Sequence, residues 1–498
     1  MLGGSARRWV GLLTCFLVIG AALVAVASEV RVGVDRDIKD FTPFNRQQPN
    51  YPIMRNIYDY LMEYQLDGTL EPMLVETWEV DGTVITLHLR EGVVFHDLAP
   101  FTAQSVLDNF AFAADPATGF HLYEAASYIQ DATAIDTYTV QLTVGTGRSV
   151  AWMLEQLGAF PIASPTMFPL MEEAVGTGPF MFEEWVPGVE LVLVKNPNYW
   201  AEGLPKSDRI VVVPYADPRT MADALLSGQI DWCWILPTEY AAEIADTENM
   251  VVTNTVLPWH DNMYLKCVGD TPFTNKQVRQ AIQYAMDREA YAEIGYFGFS
   301  EPVTNVYWKY LPYYVEAFNA LYYYDLDKAR QLITEAGYPD GFEFTLIVNA
   351  ANSGQVRIAP LLAEDLAKIG VTMNIDVRER TSFRDALNSG DYEAIFSGYT
   401  PRPLNLFASS SLRSGENNLP WDGPPPAEYV EVVDMVSSAA TEEEVTAANI
   451  RAQYMILDLS WSIVYCTREQ IHAWSSSIEG AGWDSSGYPK FHFVHRID

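Results

Sequence analysis

Groups that could perform chemistry are present in this sequence, but their spacing names no catalyst. The seven histidines are scattered. The closest pair, His492 and His495, stand three apart on an expected terminal strand, where alternation turns them to opposite faces and away from a shared metal. No H-E-x-x-H, C-x-x-C, G-x-S-x-G or Walker pattern occurs. Gly176-Thr177-Gly178-Pro179-Phe180 is glycine-rich, yet it runs into Met181-Phe182-Glu183-Glu184-Trp185, which alternates as a strand, whereas a phosphate cradle needs a helix N-terminus. Carboxylates are too numerous for any pair to stand out, so a secreted hydrolase or a lectin-like module remains an alternative reading with no nucleophile to name. The aromatic residues are more telling. With 13 Trp, 28 Tyr and 23 Phe, the chain has many broad apolar faces with polar edges, suited to gripping sugars or peptides in a cleft as well as to filling a core. They cluster at Trp232-Cys233-Trp234, Tyr307-Trp308 and Tyr322-Tyr323-Tyr324.

The elements that would position such groups alternate between strands and helices. Ile85, Leu87 and Leu89 share one face of a strand that stops at Glu91-Gly92. Thr102 is placed to cap a helix carrying Val106, Leu107 and Phe110, and Asp217-Pro218 opens another that Gly228 closes. Thr274 and Gln277 have the spacing of a capping box, ahead of Val278, Ala281, Ile282, Ala285 and Met286 at helical intervals. A further helix runs from Asp325 to Gly337, and Thr441 with Glu444 boxes one more. Between residues 342 and 377 the pattern is strand, helix and strand with short connections, a βαβ crossover with parallel strands. The class is therefore α/β or α+β with mixed sheets. Gly423-Pro424-Pro425-Pro426 reads as a loop.

Composition narrows the functional classes. The 498 residues allow about three domains, and 65 acidic against 31 basic residues exclude a protein that tracks nucleic-acid phosphates or an anionic membrane. Arg7 and Arg8, the apolar run Trp9 to Ala27 and its Ala25-Val26-Ala27 ending read as a secretory signal peptide with cleavage expected after Ala27, a single membrane anchor being the alternative because the apolar run is long enough to span a bilayer. Its removal takes two arginines and no acid, so the acidic excess lies wholly on the exported part. Cys233, Cys267 and Cys466 remain, widely spaced and odd in number, and read as free thiols rather than a disulfide scaffold.

Several segments, taken in order, resemble the extracytoplasmic solute-binding proteins of ABC importers, family 5, the group that takes oligopeptides, dipeptides, nickel chelates and some oligosaccharides. The resemblance is carried by Glu71 to Glu79 (EPMLVETWE), Leu87 to Asp97 (LHLREGVVFHD), Gly176 to Phe180 and Glu184-Trp185-Val186-Pro187-Gly188. It continues through Lys195-Asn196-Pro197-Asn198-Tyr199-Trp200, Leu225-Leu226-Ser227-Gly228 and Pro272-Phe273-Thr274 to Asp287-Arg288. There are departures: Asp97-Leu98 where the family often has Asp-Gly, and Ala103-Gln104-Ser105-Val106 where it has an acidic helix start. At Ser397-Gly398-Tyr399-Thr400-Pro401-Arg402-Pro403, peptide-binding relatives carry Gly-Trp followed by an Asp that pairs with the ligand's amine. Tyr399 can replace the stacking Trp, but no acid follows, and Arg402 favours a carboxylate, phosphate or hydroxyl.

The resemblance implies a two-lobed periplasmic-binding-protein-like α/β fold with mixed sheets, a hinge and an extra subdomain inserted in the first lobe. By motif order the first lobe comprises residues 29–51, 162–256 and 472–498, the inserted subdomain 52–161 and the second lobe 257–471. It also implies a monomer, exported to the periplasm, that is not an enzyme and needs no cofactor or metal. Such a protein captures a peptide or similar solute between closing lobes and delivers it to a permease in the cytoplasmic membrane, with an oligosaccharide or an anion as the alternative cargo. The residues expected to line the cleft are Asn45 on the first lobe, Trp259 and His260 at the crossover, Tyr307 and Trp308, and Gly398, Tyr399 and Arg402.

Overall fold

Apolar alternation along the chain builds one long sheet that runs through the whole molecule. In the computed structural model, which describes residues 28–44, 50–65, 69–118, 120, 122–168, 173–399, 427–439, 441–484 and 487–497, ten strands join edge to edge. Their order is Thr372–Arg378, Glu343–Asn349, Ala394–Tyr399, Met250–Leu265, Ser462–Ser475, Trp232–Leu236, Glu29–Val34, Arg209–Pro214, Glu190–Lys195 and Phe180–Val186. Both parallel and antiparallel pairs occur within it.

Two long strands at the middle carry the chain from one half to the other. Met250–Leu265 and Ser462–Ser475 run antiparallel along most of their length. The first continues beside Ala394–Tyr399, whereas the second continues beside Trp232–Leu236. Each therefore belongs to both halves. Their register slips between Val256 and His260 and again between Asp261 and Asn262, irregularities that locally bend and twist a strand pair.

The cores follow the same division. One cluster contains Val30, Val32, Phe44, Phe180, Leu193, Ile210 and Trp232, and a second contains Met263, Val278, Ile282, Leu346, Ile358 and Phe396. Residues 75–144 form a separate four-stranded antiparallel sheet, of which Ile85, Leu87 and Leu89 face inward as the alternation predicts. Its apolar face joins the first core instead of enclosing its own. The result is a two-lobed α/β protein, with the four-stranded sheet docked on the first lobe.

Local signals place most helices. Asp217 accepts a hydrogen bond from the Thr220 amide at 2.8 Å and caps Pro218–Leu226. Thr441 and Glu444 form their reciprocal box ahead of Glu442–Leu459. The helix Ser353–Ala367 connects the parallel strands Glu343–Asn349 and Thr372–Arg378, the expected crossover. One cap differs from expectation: Asn275, not Thr274, opens Lys276–Ala285, accepting from the Gln277 amide at 2.9 Å. Thr274 closes a preceding 3-10 turn and donates to the Thr271 carbonyl instead. The five apolar positions assigned to that helix face are all buried. Gly176 and Gly178 serve packing: a Cβ on either would lie 2.2 and 2.6 Å from the Ile57 backbone, and the Gly178 carbonyl accepts from His96 and Asn196. The leader, residues 1–27, and the Gly423–Pro426 tract lie outside the described residues.

Candidate functional site

Where the two crossing strands pass between the lobes, they bring two opposite charges together inside apolar sequence. Asp261 stands opposite Gly398 in one pairing and Cys466 in the other, and Arg468 lies two residues beyond Cys466 on the same strand. The Arg468 guanidinium donates through Nη2 to Asp261 Oδ1. Asp261 also accepts from the Tyr296 hydroxyl and, at 3.3 Å, from Gln355 Nε2, which in turn donates to the Ser397 carbonyl at 2.8 Å. A carboxylate removed from water needs this many donors, because an unpaired buried charge is strongly destabilising. Burial opposes the charge of Arg468, but the Asp261 carboxylate outweighs it and holds the guanidinium above its ordinary pKa.

Gly398 is what leaves room for the pair. A Cβ there would sit 2.7 Å from Arg468 Nη2 and 3.1 Å from Asp261 Oδ1, so a side chain would oblige the guanidinium to move from its place against the carboxylate. Half-buried Trp259 completes the group, with the Arg468 guanidinium 5.7 Å from its ring centroid, within the range of a cation–π contact.

Of the residues anticipated for the cleft, Trp259, His260 and Gly398 come together here. His260 is buried, its ring 6.3 Å from that of Trp308, and burial pushes its imidazole down to about 3, so it is neutral throughout the physiological range. The backbone of Tyr399 pairs with His260 at the end of its strand. Tyr307 and Trp308 are fully buried in an aromatic cluster with Tyr313, Tyr429 and Trp461, where Tyr307 donates to Asn449 at 3.0 Å. They fill the second lobe's interior and, in this arrangement, offer no face to a solute. Asn45 and Arg402 lie outside the described residues.

The two lobes also touch beside the crossing strands. Glu239, on the helix Thr238–Ala245 that packs with Cys233, Leu236 and Ile471, accepts from the Ser353 hydroxyl at 3.1 Å and stands 3.7 Å from Arg357 Nη1. Both partners belong to the helix Ser353–Ala367, which packs with Leu346 and Phe396. Arg357 also donates to Thr238 Oγ1 at 3.2 Å and to the Gly295 carbonyl at 2.7 Å. Arg468, Asp261, Gln355, Tyr296 and the Glu239–Arg357 contact were not anticipated from sequence. The available signal was an acid, Asp261, in an otherwise uncharged strand, and a base, Arg468, that follows an apolar run and has only Glu469 as a charged neighbour on its strand.

A sequence profile described as bacterial extracellular solute-binding proteins, family 5 Middle, matches residues 69–419, well over half of the chain. The chain belongs to this family. Family 5 proteins are the solute-binding components of ABC importers, and that is the function of this one. Among its relatives, the glutathione-binding protein GsiB of Salmonella typhimurium is 29% identical over 379 residues, covering 74% of this chain and 73% of its own. Two solved structures share the fold. The PBP AgaA from A. tumefaciens R10, in complex with agropinic acid, has TM-score 0.78 and 24% identity, covering 94% of this chain and 99% of its own. The ABC transporter substrate binding protein CtaP of Listeria monocytogenes has TM-score 0.85 and 18% identity, covering 95% and 100%.

Proposed function

We propose that this family 5 protein works in the periplasm, after cleavage of residues 1–27, as a monomer that captures a peptide-like solute. It closes its lobes over the solute and presents the closed form to an ABC permease without transforming the cargo. In this reading the lobe boundaries fall within the two crossing strands, near residues 256 and 471, and residues 52–161 ride on the first lobe as a subdomain. The observation that carries the reading is the crossing itself. Two strands shared by both lobes, with slipped register between Val256 and Asn262, give a hinge, and a charge pair on them, Asp261 and Arg468, sits beside that slip. Ligand contacts made to both lobes would stabilise closure by their differential affinity for that state.

The reading is tested by thermal-shift screening of the mature protein against dipeptides, tripeptides including glutathione, and oligosaccharides. A peptide present at a hundred times its Kd should add about 2.7 kcal/mol of apparent stability. Stabilisation by oligosaccharides alone would replace the peptide reading with the sugar one, and turnover of the bound compound would replace transport with hydrolysis.

A further inference from the structure

The Asp261–Arg468 pair does not present its two charges equally. Asp261 is 0% exposed, whereas the Arg468 side chain keeps 29% of its surface. All the donors that satisfy Asp261 come from within the protein: Arg468, Tyr296 and Gln355. Arg468, by contrast, has an enclosed Nε with no acceptor among the described residues. Its guanidinium rests near the half-buried Trp259 ring, in the slot that Gly398 leaves open. The carboxylate thus fixes the guanidinium's orientation, and the cation is the member of the pair that meets solvent. A planar guanidinium held in place loses little freedom when it takes a second, anionic partner.

We propose that Arg468 is a specificity-determining residue that receives a carboxylate of the solute, with Asp261, Gln355, Tyr296 and Gly398 as its positioning residues and Trp259 as the adjoining apolar wall. Recognition is then anchored on the ligand's acid rather than on a free amine. The proposal rests on the peptide-like reading above.

The test uses the mature full chain and one dipeptide library in three forms: free, N-acetylated and C-amidated. Binding is measured by thermal shift, with calorimetry on the best members. The wild type should keep its affinity for N-acetylated peptides and lose roughly 10- to 100-fold for C-amides, the size of a lost charge-assisted hydrogen bond. Arg468→Lys should bind the free acids more weakly than wild type and discriminate less between acid and amide. The double variant Asp261→Asn/Arg468→Met removes both buried charges together, so it should fold and bind acids and amides alike. Amides bound as tightly as acids by the wild type, or undiminished acid preference in a folded Arg468 variant, would overturn the role of Arg468 while leaving peptide capture intact. Failure of every form to bind the wild type would bring down the peptide-like reading, and this proposal with it.

Discussion

The contact between Glu239 and the Ser353–Ala367 helix makes a quantitative prediction about how the lobes are held. Glu239→Ala removes one hydrogen bond of 3.1 Å from Ser353 and one ion pair of 3.7 Å to Arg357. The two charged side chains are 32% and 27% exposed, so solvent screens them, and the pair contributes about 0.2–1 kcal/mol. The hydrogen bond adds about 0.5–1.5 kcal/mol. Arg357 keeps its bonds to Gly295 and Thr238, so no charge is stranded and the loss should stay near 1–2 kcal/mol. At about 1.4 kcal/mol per tenfold, the balance between this lobe arrangement and a more open one should move roughly 5- to 30-fold toward opening. Solution scattering of the unliganded protein should show a larger radius of gyration for the variant. The wild type should approach that value as salt rises from 50 to 500 mM, because screening weakens the pair. Affinity should fall by no more than the same factor, since the ligand must restore the closed population. An unchanged radius together with unchanged affinity would refute the idea that this contact biases the lobes.

Gly398→Ala should destabilise the protein by about 1–3 kcal/mol through overpacking against Arg468, visible as a fall in Tm of several degrees that Gly→Ala at Gly482, where a Cβ would meet nothing closer than 3.7 Å, does not produce. Asp59 is buried beneath Thr177, Tyr199 and Trp200; burial raises its pKa from 3.8 to about 6, with those hydrogen bonds opposing the shift. Because the folded pKa is the higher one, the folded state holds the extra proton, and this group's contribution to stability is full below about pH 4 and lost as pH rises through 6. Asp59→Asn should remove that dependence, gaining on wild type by up to about 3 kcal/mol between pH 4 and 7 in urea titrations; parallel stability curves for the two proteins would contradict it. Burial pushes the Cys233 thiol up to about 12 and Cys267 to about 11, and Cys466 is raised as well. A thiol reagent at pH 8 should therefore label none of the three rapidly until guanidinium is added, and fast labelling of Cys233 or Cys466 in the native protein would count against their placement.

Much of the local structure was legible because caps and periodicity act over a few residues. The alternation of Ile85, Leu87 and Leu89, the Asp217 cap, the Thr441–Glu444 box and the crossover between residues 342 and 377 all depend on neighbours in sequence. Thr274 was misleading because the preceding turn competes for its hydroxyl, leaving the cap to Asn275. Ile375 and Val377 alternate as expected, yet are 38% and 49% exposed, since their strand is the outermost of the sheet and helices cover only part of it. The site was less legible. Tyr307 and Trp308 looked suited to a cleft, but their partners Tyr429 and Trp461 arrive from more than a hundred residues away and turn them into core. Asp261 and Arg468 are 207 residues apart, and only the pairing of the two crossing strands makes them one unit. Family resemblance placed attention on Gly398 and its neighbourhood; the physical reason for that glycine, room for a guanidinium, came from the geometry.

Native mass spectrometry of the exported protein, purified without added ligand, tests the central claim most directly. The account predicts one small solute per chain, bearing a carboxylate, released chemically unaltered on denaturation, and able to compact the emptied protein when returned to it. Recovery of a cleaved product, or an emptied protein that neither binds nor compacts with any solute from its native extract, would contradict it.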